Sequence, residues 1–188
     1  DHLLHLKKRN QIAIMLSNRS ITSFKYFPAG DIKDQNTILR WIYDALYRMN
    51  FEVDMIYDNE EELGRYDVII LPSIYSLPKI QIERLCKYVQ TGGHLLATFR
   101  TAFTNEHVKV YADEQPFGMT NIFGITYDQF TKPGKTSLSS DVLSFEKKPV
   151  LSDWMELLIP RRDTEIIARY EHQYWKEYAA VTHRKFGK

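Results

Sequence analysis

Apolar and polar positions follow two periods along this chain, and the switches between them mark its elements. Gln11–Ser17 (QIAIMLS) is a near-continuous apolar run, as expected of a strand covered on both faces. Over Asp34–Asn50 the period becomes helical. Ile38, Trp41, Ile42, Ala45, Leu46 and Met49 fall at i, i+3, i+4, i+7, i+8 and i+11, one stripe of a helix. Leu39, Tyr43 and Tyr47 make a second stripe beside it. Two readings of this helix stay open: a wide core-facing helix, or a partner surface, where tyrosine is favoured. Phe51–Tyr57 begins with alternation and predicts a half-buried strand near a sheet edge. Asp67–Leu71 (DVIIL) predicts a buried strand stopped by Pro72.

Pro78 opens a second helix, at a position where its missing N–H costs nothing. Ile82, Leu85, Cys86 and Val89 face one way on it, which assigns Cys86 to the core. Gly92 or Gly93 ends that helix, because glycine adopts the left-handed cap cheaply, and His94–Phe99 predicts a central buried strand. The first hundred residues therefore read strand–helix–strand–strand–helix–strand. The fold expected is a three-layer, doubly wound, mainly parallel α/β sheet, flavodoxin-like or class I glutamine-amidotransferase-like. Beyond Phe103 the pattern loosens. Asn18–Asp31 and Lys132–Asp141 read as polar loops, Gln115–Gly124 as a short helix, and Ser152–Ile159 as one or two helical turns. Glu165–Tyr170 and Tyr178–Arg184 are two more strand candidates.

Composition narrows the function classes. The chain has 188 residues, 44% hydrophobic and 26% charged, with a formal net charge of +1. That fits one globular core and argues against a nucleic-acid partner, since the basic clusters are short and separated. No apolar run approaches the roughly 18 residues of a membrane span. A single cysteine forms no internal disulfide, which points to a reducing, cytoplasmic setting. The first residues, Asp1–Arg9, look like a helix tail or linker arriving from elsewhere. His2 and His5 have a chelating spacing but no third ligand nearby, so no metal is expected.

Ligands of open parallel sheets gather at the carboxyl ends of the strands. Thr91–Glu106 (TGGHLLATFRTAFTNE) leads from the central strand into such a position, where an amidotransferase-like chain carries a nucleophilic cysteine on a sharp turn. Here that turn is Phe99, Arg100 and Thr101, so a site is expected and its nucleophile is missing. The only thiol is mid-helix, and Ser73 lacks the flanking glycines of a nucleophile elbow. Thr101, Glu106 and His107 can be drawn as a triad, though nothing in the sequence positions them. The loop Ser17–Ser23 offers hydroxyls where a flavin phosphate would sit but has no glycine-rich turn. No cofactor is expected.

The segments LSNRSITSFKYFP, ILRWIYDALYRMNFEVD, DVIILPSIYSLP, YVQTGGHLLATFRTAFTNEHVKVYADEQPFGMTNIFGI, DWMELLIP and YAAVTHRKFGK resemble the trimerisation domain of glycoside hydrolase family 42 β-galactosidases. The resemblance covers nearly the whole chain. It implies residues 1–9 as the linker from a catalytic barrel and residues 10–188 as one α/β domain that helps assemble a homotrimer. The parent enzyme would hydrolyse terminal β-D-galactosides. The catalytic glutamates of that family belong to the barrel, so none is placed on this chain. The candidates for subunit contact, or for walling a neighbouring active site, are Trp41, Tyr43, Tyr47, Arg100, Thr101, Phe103 and Glu106. A free-standing flavodoxin- or amidotransferase-like domain binding a small ligand is the alternative.

Overall fold

The computed structural model describes residues 9–188. His2, His5 and nearly all of the expected linker lie outside the described residues. The first strand, β1 (Ile12–Leu16), sits between β2 (Val53–Tyr57) and β3 (Val68–Leu71), and β4 (His94–Ala97) follows β3. β4 lies at the sheet edge, half-exposed rather than the central buried strand expected, because no further strand pairs with it among the described residues. All three pairings are parallel. The segments joining β1 to β2 and β3 to β4 carry α2 (Gln35–Arg48) and α3 (Lys79–Gln90), long enough for parallel crossovers. Asp34 starts α2 by accepting the Thr37 N–H at 2.9 Å. The loop expected after β1 begins instead as a short helix, α1 (Asn18–Phe24), capped by Ser17.

The three-layer, flavodoxin-like expectation does not hold. Parallel ladders end at Ala97, beyond which only the isolated Ser76–Thr104 bridge is parallel, and every later ladder is antiparallel. The strands β5 (Ile125–Thr126) and β10 (Ile159–Pro160) pair, as do β6 (Phe130–Thr131) and β9 (Met155–Glu156). A second four-stranded sheet has the order β12 (Ala179–His183), β11 (Glu165–Glu171), β7 (Thr136–Ser139), β8 (Val150–Leu151). After β4 the one helix is α4 (Thr120–Phe123), and a parallel return needs a crossover of about a dozen residues or more. Short connections leave antiparallel pairing as the available arrangement. Ser152–Ile159, expected as helical turns, accordingly contributes β9 and the start of β10.

The second reason lies in the parallel sheet itself. One face, with Ala13, Met15, Ile56, Ile69 and Leu71, packs on Ile82 and Leu85 of α3 and forms the main core. The other face carries Ile14, Met55, Tyr57, Ile70 and Leu96 by register. Ile14 and Ile70 are buried, but Met55, Tyr57 and Leu96 are 42%, 55% and 54% exposed. The helix α2 does not complete a layer over them. Its Ile38 and Ile42 instead join Phe24, Ala29, Ile32, Phe99 and Trp154 in a second small core. A third core, Met155, Leu157 and Tyr170, lies in the antiparallel half.

Candidate functional site

The carboxyl end of the parallel sheet is where a ligand crevice belongs, and here it is filled. The turn after β4 holds Arg100 at φ +61°, the left-handed region, with Ala102 at +56°. Ser73, after β3, sits at +48°. Backbone of this kind costs free energy and persists only where its surroundings over-determine it. The surroundings are aromatic. The Arg100 guanidinium carbon lies 4.3 Å from the Tyr75 ring centroid, 4.4 Å from Phe27, 4.9 Å from Phe24 and 5.1 Å from Trp154. Its side chain is fully buried, and its three nitrogens make no hydrogen bond to the described residues. Ring faces stand in for acceptors, an attraction worth about 2 kcal/mol or more per pair once water is excluded. Burial nonetheless holds the guanidinium below its usual range.

The Arg100 main chain reaches the antiparallel half. Its N–H donates to Glu156 Oε1 at 2.7 Å, and the Trp154 indole N–H reaches the same oxygen at 3.4 Å. Glu156 is buried, and burial pushes its carboxyl up to about 7 against the lowering effect of the Arg100 N–H. Tyr170 donates its hydroxyl to the Glu156 carbonyl at 2.7 Å. The buried Tyr127 hydroxyl stands against the same carboxyl without a bond of normal geometry. Burial raises both phenols.

The structure divides the sequence-predicted residues into two groups. Arg100 and Thr101 are buried in the turn, and Thr101 spends its hydroxyl on the Thr98 carbonyl at 2.8 Å. Phe103 stacks on Tyr75 with ring centroids 5.7 Å apart. Glu106 is on the surface, 3.8 Å from His107, so no triad forms with Thr101. The second group lies on α2. Trp41, Tyr43 and Tyr47 are 54%, 39% and 70% exposed, and the two tyrosines stack at 6.3 Å. Ala45 and Met49, expected in the buried stripe, also face outward. Phe24, Phe27, Tyr75, Tyr127, Trp154 and Glu156 complete this site without any sequence signal that assigns them to it. No local pattern links them, because they converge only through tertiary contacts.

The hydroxyl loop after β1 is committed to the protein itself. Ser17 donates to Asp58 at 2.7 Å, Ser20 bonds the Ser76 main chain, and Ser23 donates to the Arg19 carbonyl. The Asp58 carboxylate there opposes a phosphate. Among the described residues no cluster of three or more His, Cys, Asp or Glu is arranged to hold a metal, and no helix is long and apolar enough to cross a membrane.

Residues 10–188 match the family model described as the β-galactosidase trimerisation domain. The chain is 29% identical over 197 residues to the β-galactosidase BgaA of Planococcus sp. (strain 'SOS Orange'), covering all of this chain and 28% of that protein. It is 25% identical over 179 residues to the β-galactosidase BgaB of Geobacillus sp. (strain Y412MC61), covering 95% of this chain and 25% of that one. The fold is similar to that in the crystal structure of the β-galactosidase from Bacillus circulans sp. alkalophilus, with a TM-score of 0.89 at 23% identity over 100% of this chain and 28% of that chain. The chain thus spans only about a quarter of the length of these relatives.

Proposed function

As this chain belongs to the β-galactosidase trimerisation-domain family, we propose that it holds three subunits of a β-galactosidase together through the face its own fold leaves open. The observation that carries this reading is the exposed aromatic surface of α2, with Trp41, Tyr47 and Tyr43 stacked on Tyr47. Contiguous apolar surface of this kind marks an interaction site in a water-exposed domain, and tryptophan and tyrosine are favoured anchors in subunit contacts. The rest of the parent protein, through its barrel, carries the hydrolysis of terminal β-D-galactosides. The loop from Arg100 to Glu106 walls the active site of a neighbouring subunit through the exposed Glu106 and the half-buried Phe103. The assembly works in the cytoplasm, in keeping with a lone, unpaired Cys86.

Light-scattering mass during gel filtration, across a wide range of concentration, tests the assembly reading. The expected result is a trimer mass for this chain and a monomer mass for the Trp41→Glu/Tyr47→Glu variant with unchanged far-ultraviolet dichroism. A monomer at every concentration for the unmodified chain would overturn the assignment of the contact to these residues. So would a trimer that survives the double substitution.

A further inference from the structure

β4 ends its sheet, and among the described residues no strand lies beside its outer edge. The ladder to β3 uses alternate residues: the His94 N–H donates to the Asp67 carbonyl at 2.9 Å, and the Thr98 N–H to the Leu71 carbonyl at 3.1 Å. In that parallel register Leu96 also turns its main chain toward β3, so Leu95 and Ala97 turn theirs away. Among the described residues neither makes a main-chain hydrogen bond. Proteins usually blunt such an edge with proline, lysine or a bulge. Leu95-Leu96-Ala97 has none of these.

A groove of about 390 Å³ runs along this edge, a size within the usual range of ligand sites, about 300–1,000 Å³. Its far wall is β12, the end strand of the second sheet, through Ala180, Val181 and Thr182. Its lining is mainly aliphatic, and its one titratable carboxyl among the described residues is Glu156, with the unpartnered Tyr127 hydroxyl beside it.

We propose that this groove is a β-augmentation site that takes an extended peptide segment of another polypeptide, aliphatic at alternate positions, as a strand added to β4. Unpaired N–H and C=O groups two residues apart are matched by extended main chain, whereas a compact apolar molecule leaves them unmet. Alternation then delivers one set of the peptide's side chains to the aliphatic lining. The site lies at the opposite edge of the sheet from β2, and neither Trp41 nor Tyr47 of α2 lines it.

A fluorescein-labelled hexapeptide of alternating valine and threonine is the probe, titrated by anisotropy with amide exchange followed by NMR. Saturable binding is expected, with exchange slowed about tenfold at Leu95 and Ala97. Ala97→Pro removes only the outward N–H and spares the β3 ladder, so it weakens binding about tenfold, the effect of leaving one buried partner unmet. If that variant fails to fold, peptides N-methylated on the valine amides or on the threonine amides are compared on the unmodified protein. One of the two then loses binding by about tenfold or more. No saturation up to about 1 mM, where binding free energy is only about 4 kcal/mol, overturns the proposal. So does binding that leaves Leu95 and Ala97 exchange unchanged and tolerates both methylations.

Discussion

Glu156 is a carboxyl held between the two halves of the molecule by main-chain and indole N–H groups, with no cation in ion-pair contact among the described residues. Its affinity for a proton is therefore higher folded than unfolded, near 7 against an ordinary 4.5. Between those values the folded state binds more protons, so stability falls as pH rises and levels off above about 7. The expected loss is on the order of 3 kcal/mol from this residue. Denaturant titrations between pH 4.5 and 8 check it, with Glu156→Gln expected to flatten the slope by most of that amount. A slope unchanged in the variant would assign the pH dependence elsewhere. Arg100 shows the complementary case, a buried cation solvated by rings, and it explains why the expected crevice holds no open ligand space at that point.

The end of α3 shows how local chemistry sets an element. Thr91 is the last partly helical residue, and the N–H groups of Gly92 and Gly93 return to the carbonyls of Val89 and Tyr88, each at 3.0 Å. Gly92 supplies φ +108°, which side-chain-bearing residues rarely adopt. Gly93 is needed for a different reason: a Cβ there would lie 2.2 Å from the buried Tyr88 ring. That ring cannot retreat, because its hydroxyl donates to the Tyr66 and Asp67 carbonyls at 3.1 and 2.9 Å. Gly93→Ala is therefore expected to destabilise by about 2–3 kcal/mol, as overpacking of a fixed site does. A shift of the urea midpoint at constant slope measures it, and an unchanged midpoint would mean the Tyr88 ring yields. The double glycine that made this stretch legible in sequence thus acts once through conformation and once through space.

At the scale of the whole molecule the chain belongs to a trimerisation-domain family and holds no arranged nucleophile, acid–base pair or metal cluster among the described residues. The expectation is that purified residues 1–188 do not hydrolyse a chromogenic galactoside above an empty-vector preparation. Hydrolysis that co-purifies with the chain and disappears in Glu156→Gln would place chemistry in this domain after all. Trp41 and Tyr47 are exposed on α2 and do not line the β4 groove, so substitutions at these two positions are expected to change mass without changing peptide affinity.

What the sequence determined alone is whatever depends on neighbours along the chain. The helices α2 and α3, the strands β1 and β3, the glycine stop and the strands β11 and β12 follow from period, capping and turn residues within a few positions, and so does the presence of β4, though not its place at the sheet edge. The family was legible too, because it is written across nearly every segment. The tertiary structure decided the rest. The antiparallel second half depends on which short strands meet, and short apolar runs do not encode their partners. The stripe on α2 has a helical period whether its cover comes from the same chain or another, so only the fold shows that Trp41 and Tyr47 remain open. The Arg100 cage draws on residues 24, 27, 75, 100 and 154, and a contact between positions that far apart exists only once the chain has folded.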